Sequence, residues 1–175
     1  MIRTQNFQPV KYCSDRFSAG GITPADMVLK RGNIVTHSPT AENALVIAPD
    51  GKAGFFLTRD VMLATGLQAY VDADELRPNK AGFQTPFLAG GSAQMEDYDE
   101  IWVEGTDHLD VTVGNAIVAG QKLTTKGGKF STLTNSETQE LIGIVRTVIP
   151  SANGAGGTKR FLIEIVRSGV NIPAA

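Results

Sequence analysis

The spacing of the apolar runs constrains this chain more than any other feature. Residues 27–29, 33–36, 44–47 and 54–57 form apolar runs no longer than a short strand. Turn residues separate them: Lys30-Arg31-Gly32, His37-Ser38-Pro39 and Pro49-Asp50-Gly51-Lys52. Such runs leave no room for an amphipathic helix of three or four turns, whereas antiparallel strands need turns at this near-regular spacing. Asp50-Gly51 is a tight-turn pair because both residue types tolerate positive φ. The same style resumes at 101–103, 109–113, 116–118, 122–125, 130–133, 141–148 and 160–166. The strict alternation of 109–113 predicts one buried face. Residues 160–166 are apolar on both faces except at Glu164, which predicts a central strand.

Nineteen glycines and eight prolines among 175 residues fit many turns and few long helices. One short helix is predicted over 58–70, capped at Thr58 or Asp60, with Gly66 weakening its middle. Residues 72–95 form a Pro/Gly/charge-rich connector without a period. The expected fold is mainly β: a small, Gly-rich antiparallel β-barrel or sandwich-like domain with an extended N-terminal arm and at most one or two short helices. The arm covers 1–24 and the single β-rich domain 25–175. An internal repeat is visible in 27–60 and 116–150. Gly32 and Gly120 each precede an apolar strand passing through Thr36 or Thr124, and a second glycine, Gly54 or Gly143, opens a later apolar run.

A net charge of −2, from 16 basic and 18 acidic residues, argues against a dedicated nucleic-acid binder. A lone cysteine, Cys13, and two histidines exclude an intrachain disulfide framework and disfavour a multi-His metal centre. No run approaches the roughly 18 apolar residues of a membrane helix. The first fifteen residues lack the apolar core of a secretory signal.

Candidate chemistry is sparse. Residues 152–159 are glycine-rich, but they lead into a strand rather than a helix and lack the Gly-Lys-Ser/Thr of a phosphate cradle, so they read as a hairpin loop. The acidic clusters at 72–75 and 96–100 lack the glycine and distal glutamate of a calcium loop and read as solvated turns. In Asp107-His108-Leu109-Asp110, an inward Leu109 leaves His108 and Asp110 as an outward-facing surface pair. Gly90-Gly91-Ser92-Ala93-Gln94 lacks the final glycine of a nucleophile elbow. No catalytic residue, metal site or cofactor is expected, and the chain is not read as an enzyme. The alternative is a small-ligand or carbohydrate-binding β-barrel using Trp102, His108 and the 96–100 carboxylates, with Trp102 stacking on a sugar.

The arm stands apart. Phe7, Tyr12 and Phe17 recur every five residues in an aperiodic segment with three basic residues (Arg3, Lys11, Arg16) and one acidic (Asp15) up to Ser18. These aromatics either pack back onto the domain or fill pockets of a partner while the backbone pairs with a sheet edge.

Arg31-Gly32-Asn33-Ile34-Val35-Thr36, Asp50-Gly51-Lys52-Ala53-Gly54-Phe55-Phe56-Leu57 and Leu141-Ile142-Gly143-Ile144-Val145, behind such an arm, resemble the head decoration (capsid cement) proteins of tailed bacteriophages. The resemblance covers residues 1–60 and 110–167. It implies a structural virion protein, made in the host cytoplasm, that sits on the outer surface of the capsid as a homotrimer at local threefold sites and stabilises the shell against DNA pressure. Its partners would be the major capsid protein and itself, with no nucleic acid, membrane or small-molecule substrate. Phe7, Lys11, Tyr12, Arg16 and Phe17 are the expected capsid-binding residues. Another phage structural module, of tail or baseplate, is the further alternative.

Overall fold

The computed structural model describes residues 7–12, 18–24, 26, 29–59, 86–87, 92–104, 108–110, 117–150 and 159–166. These form thirteen strands and no helix: β1 (Phe7–Tyr12), β2 (Ser18–Ile22), β3 (Leu29–Lys30), β4 (Ile34–His37), β5 (Leu45–Ile47), β6 (Phe55–Arg59), β7 (Pro86–Phe87), β8 (Ser92–Glu96), β9 (Tyr98–Glu104), β10 (Lys122–Lys126), β11 (Lys129–Thr132), β12 (Gly143–Pro150) and β13 (Lys159–Ile165). A six-stranded antiparallel sheet has the order β1-β9-β13-β12-β10-β11, and a five-stranded one the order β2-β8-β6-β4-β5. β3 and β7 pair separately. The architecture is mainly β and sandwich-like, as the short runs predict. β13 lies between β9 and β12, the central position expected for it. Thr58 lies within β6, so it caps no helix; residues 60–70 fall outside the described residues.

The two large sheets share one plan. Leaving aside β1, β3 and β7, a first unit (β2, β4, β5, β6, β8) and a second (β9 to β13) both arrange their strands as first, fifth, fourth, second, third. A shift of 88 positions carries Ile34↔Phe56 and Val35↔Phe55 onto Lys122↔Ile144 and Leu123↔Gly143. The irregularity between Leu57 and Arg59, opposite β8, recurs between Val145 and Thr147, opposite β13. Gly32 (φ 89°) and Gly120 (φ 86°) turn the chain alike in the left-handed region, where a Cβ is strained. Their N–H groups donate to Leu57 O and Val145 O, each at 2.7 Å. Leu57 and Val145 in turn donate to Asn33 O and Gln121 O, each at 3.0 Å.

The duplication is wider than the sequence pattern suggests, because it includes the first and fifth strand of each unit. It also corrects one correspondence: Gly143 matches Phe55, not Gly54. The loop joining β4 to β5 is longer than the Gly127-Gly128 turn joining β10 to β11, and the next connection compensates.

The cores repeat as well. Ala19, Leu29, Val35, Leu45, Leu57, Ala93 and Met95 pack together inside the first unit. Their counterparts Ile101, Ile117, Leu123, Phe130, Val145, Phe161 and Ile163 all belong to the larger core. That core also takes in Ile34, Ala48 and Phe56 from the first unit. The units are therefore fused through apolar burial, the dominant favourable term in such packing. Polar contacts frame the junction: Ile34 N–H donates to Gly128 O at 2.8 Å and Gly51 N–H to Thr125 O at 2.7 Å. Glu140 accepts from Ala53 N at 2.8 Å and pairs with Lys52 Nζ at 3.2 Å. The Asp50-Gly51 turn read from the sequence thus also acts as a clamp between units.

Candidate interaction surface

In its described parts, the segment read as an arm is woven into both sheets. β2 pairs with β8, and β1 pairs antiparallel with β9 along Phe7↔Val103, Gln8↔Trp102, Pro9↔Ile101, Lys11↔Glu100 and Tyr12↔Tyr98. Phe7 takes the packing alternative. Its side chain is fully buried, with ring centroids 5.8 Å from each of Phe56, Tyr98 and His108. A side chain so enclosed is not an exposed contact, which removes Phe7 from the expected binding set. Nothing but alternation with a paired strand marks it as core, and the aperiodic sequence hides that pairing.

Lys11 and Tyr12 sit on β1 opposite Glu100 and Tyr98. Their side chains, and Arg16 and Phe17 entirely, lie outside the described residues. β1 is the terminal strand of its sheet, and among the described residues no strand pairs with its other edge. It presents Val10, 48 % exposed, and carries Pro9 and register irregularities on either side of Lys11. Proline, a lysine and a bulge are the usual ways an edge strand limits unwanted pairing. The sequence pattern gave no signal for Val10, nor for Ile22, Val118 and Ile149, the other exposed large apolar residues described.

The acidic run at the β8–β9 junction is not a solvated turn. Glu96 and Asp97 are buried. Tyr98 donates its hydroxyl to Glu96 Oε2 at 3.0 Å and its N–H to Asp97 Oδ1 at 2.9 Å. Burial holds the Asp97 carboxyl above its ordinary pKa, against the lowering effect of the Tyr98 N–H and with a further small rise from Asp99. Asp97 lines a cleft of about 250 Å³ between the units, otherwise apolar, with Ile34, Phe55, Phe56, Ile142 and Val166 among its walls.

His108 does not form an outward pair with Asp110. It is fully buried against Phe7, while Asp110 accepts from Ser131 Oγ at 3.3 Å and pairs with Lys126 Nζ at 3.1 Å. The reason is that 108–110 lies against β11: Leu109 bridges Phe130, so both neighbours follow that backbone rather than a free strand. Trp102 is half-buried on the outward face of β9, with the Arg160 guanidinium 5.2 Å from its ring centroid. That face also carries Glu100, Ile144, Lys122 and the Arg146–Glu164 ion pair. Trp102 and His108 thus point to opposite sides of the sheet. Among the described residues, no group of three or more His, Cys, Asp or Glu could hold a metal. No helix there is long and apolar enough to cross a membrane.

Compared with known proteins, the chain matches no protein-family model and no curated protein.

Proposed function

We propose that this chain is a structural virion protein that decorates the outer surface of a phage capsid, as a homotrimer at local threefold sites, and stabilises the shell. The observation that carries the reading is the duplicated β-unit. The glycine-turn segments on which the resemblance rests lead into β4 and into β6 and β12, the matched fourth strands of the two units. A fused double unit of this kind offers a rigid body, the outward face of the six-stranded sheet and the strand β1 at its end, with Val10 and Lys11 on it. Many copies of one modest contact, repeated over a symmetric lattice, sum to tight attachment. The proposal includes no catalytic step, cofactor or nucleic acid.

Removing residues 1–18 would strip Phe7 from the core, so attachment is better tested by substitution. Purified protein is mixed with expanded shells of the cognate capsid and pelleted, with cryo-electron microscopy of the pellet. The expected result is saturable co-sedimentation, density outside the shell at the threefold positions, and weaker binding of Val10→Asp and Lys11→Glu. Shells that remain bare would overturn the proposal.

A further inference from the structure

The cleft between the two units has a built interior. Ile34, Phe56, Ile142 and Asp97 line it as buried residues, while Phe55 and Val166 line it half-buried. Its walls are pinned on both sides. Ala53 N–H donates to Glu140 Oε2 at 2.8 Å, and Val166 N–H donates to Ile142 O at 3.0 Å. Gly54 holds the chain close at a point where no side chain fits: a Cβ would lie 2.7 Å from Val35 O and 2.9 Å from Ala48 Cβ. A concave space whose walls are fixed by main-chain bonds needs little reordering to take a ligand.

Volume and chemistry together define that ligand. The cleft holds about 250 Å³, more than the roughly 150 Å³ in which an apolar cavity takes up benzene. One aromatic ring or a short alkyl chain therefore fits, with a small head group. Asp97 is the only charged residue in the lining, and the rest of it is apolar. Its carboxylate is oriented by Tyr98, whose N–H donates to Oδ1 at 2.9 Å. Burial works against its negative charge, and Asp99 adds repulsion. A cation beside it would offset both, and attraction of opposite charges is stronger between apolar walls than in water. A polar body on that cation would bury unpaired groups against Ile34, Phe56 and Ile142, so the body has to be apolar.

We infer that this cleft binds a small primary ammonium with an apolar body, its head on the Asp97 carboxylate and its ring or alkyl chain against Phe56 and Ile142. The inference rests on the cleft and not on the capsid proposal, and either can fail without the other.

The test is titration of the full chain with 2-phenylethylammonium at pH 7, followed by calorimetry and by methyl NMR of Ile34, Ile142 and Val166. The comparison ligand is 2-phenylethanol, which keeps the body and replaces the cation with a hydroxyl. The amine is expected to bind saturably and to shift the cleft methyls, and the alcohol to bind about tenfold more weakly, because hydrogen bonds between charged groups are the stronger kind. Asp97→Asn keeps an oxygen for the Tyr98 N–H, and its folding is checked by circular dichroism. That variant should bind amine and alcohol alike. The wild-type comparison decides the matter even if the variant does not fold. Absence of saturable amine binding overturns the inference. So do equal affinity for the alcohol, shifts that leave the cleft methyls unmoved, and a folded Asp97→Asn chain that keeps the preference for the amine.

Discussion

At three matched inward positions the first unit carries Ala19, Gly21 and Ala93 where the second carries Ile101, Val103 and Phe161. The difference is enforced locally: a Cβ on Gly21 would fall 2.6 Å from Leu45 Cγ. The outward faces differ in the other direction. Ile34 and Phe56 of the first unit are buried against the second, while their counterparts Lys122 and Ile144 are only half-buried beside the Arg146–Glu164 pair. One unit therefore holds its own large core, and the other combines a small inside with an apolar outside that must be covered. The two units are thus unequal, the first dependent on the second for cover, and Phe7 sits where the two meet.

The largest effect should come from the residue that joins them. Phe7→Ala removes a ring shared by Phe56, Tyr98 and His108 and should cost about 3–5 kcal/mol, read by urea unfolding. A loss under about 1 kcal/mol would mean that the units do not depend on it.

Gly21→Val makes the first unit resemble the second and should cost about 1–3 kcal/mol by overpacking, with Leu45→Ala in the same chain recovering part of the loss. The two turn glycines sharpen the comparison further. Gly120→Ala should cost about 1 kcal/mol from its positive φ alone, and Gly32→Ala more, because its methyl also meets Phe7. Equal costs would contradict the placement of Phe7.

The smallest effect concerns the junction carboxylate. Burial raises the pKa of Asp97, so the folded state holds its proton more tightly than the unfolded chain. Stability should then fall as pH rises from the ordinary carboxylate value through the raised one. Asp97→Asn keeps an oxygen for the Tyr98 N–H and should flatten that fall, raising the melting temperature at pH 7 relative to wild type but not at pH 3.

Much of the fold is legible in the sequence because strands β4, β5, β6 and β10 to β13 coincide with apolar runs bounded by glycine turns. The repeat is legible at Gly32 and Gly120, where positive φ demands the same residue twice. It is misleading at Gly54 and Gly143, which lie one residue out of register: Gly143 matches Phe55 and Gly54 matches Ile142. β1 and β2 are hidden because a strand that joins a distant sheet at its edge needs no alternation of its own. Of the expected contact residues, Phe7 proves to be core for that reason. The burial of Glu96, Asp97 and His108 follows from neighbours distant in sequence, Phe56 and Phe130, which no local pattern reveals.

Amide hydrogen exchange resolved by residue tests the duplication most directly. Gly32, Leu57, Gly120 and Val145 donate the four matched bonds, and all four amides should be strongly protected relative to Thr40 in the exposed β4–β5 loop. Protection of Gly32 and Leu57 with free exchange at Gly120 and Val145 would contradict the account, because the second unit would then not be built as the first.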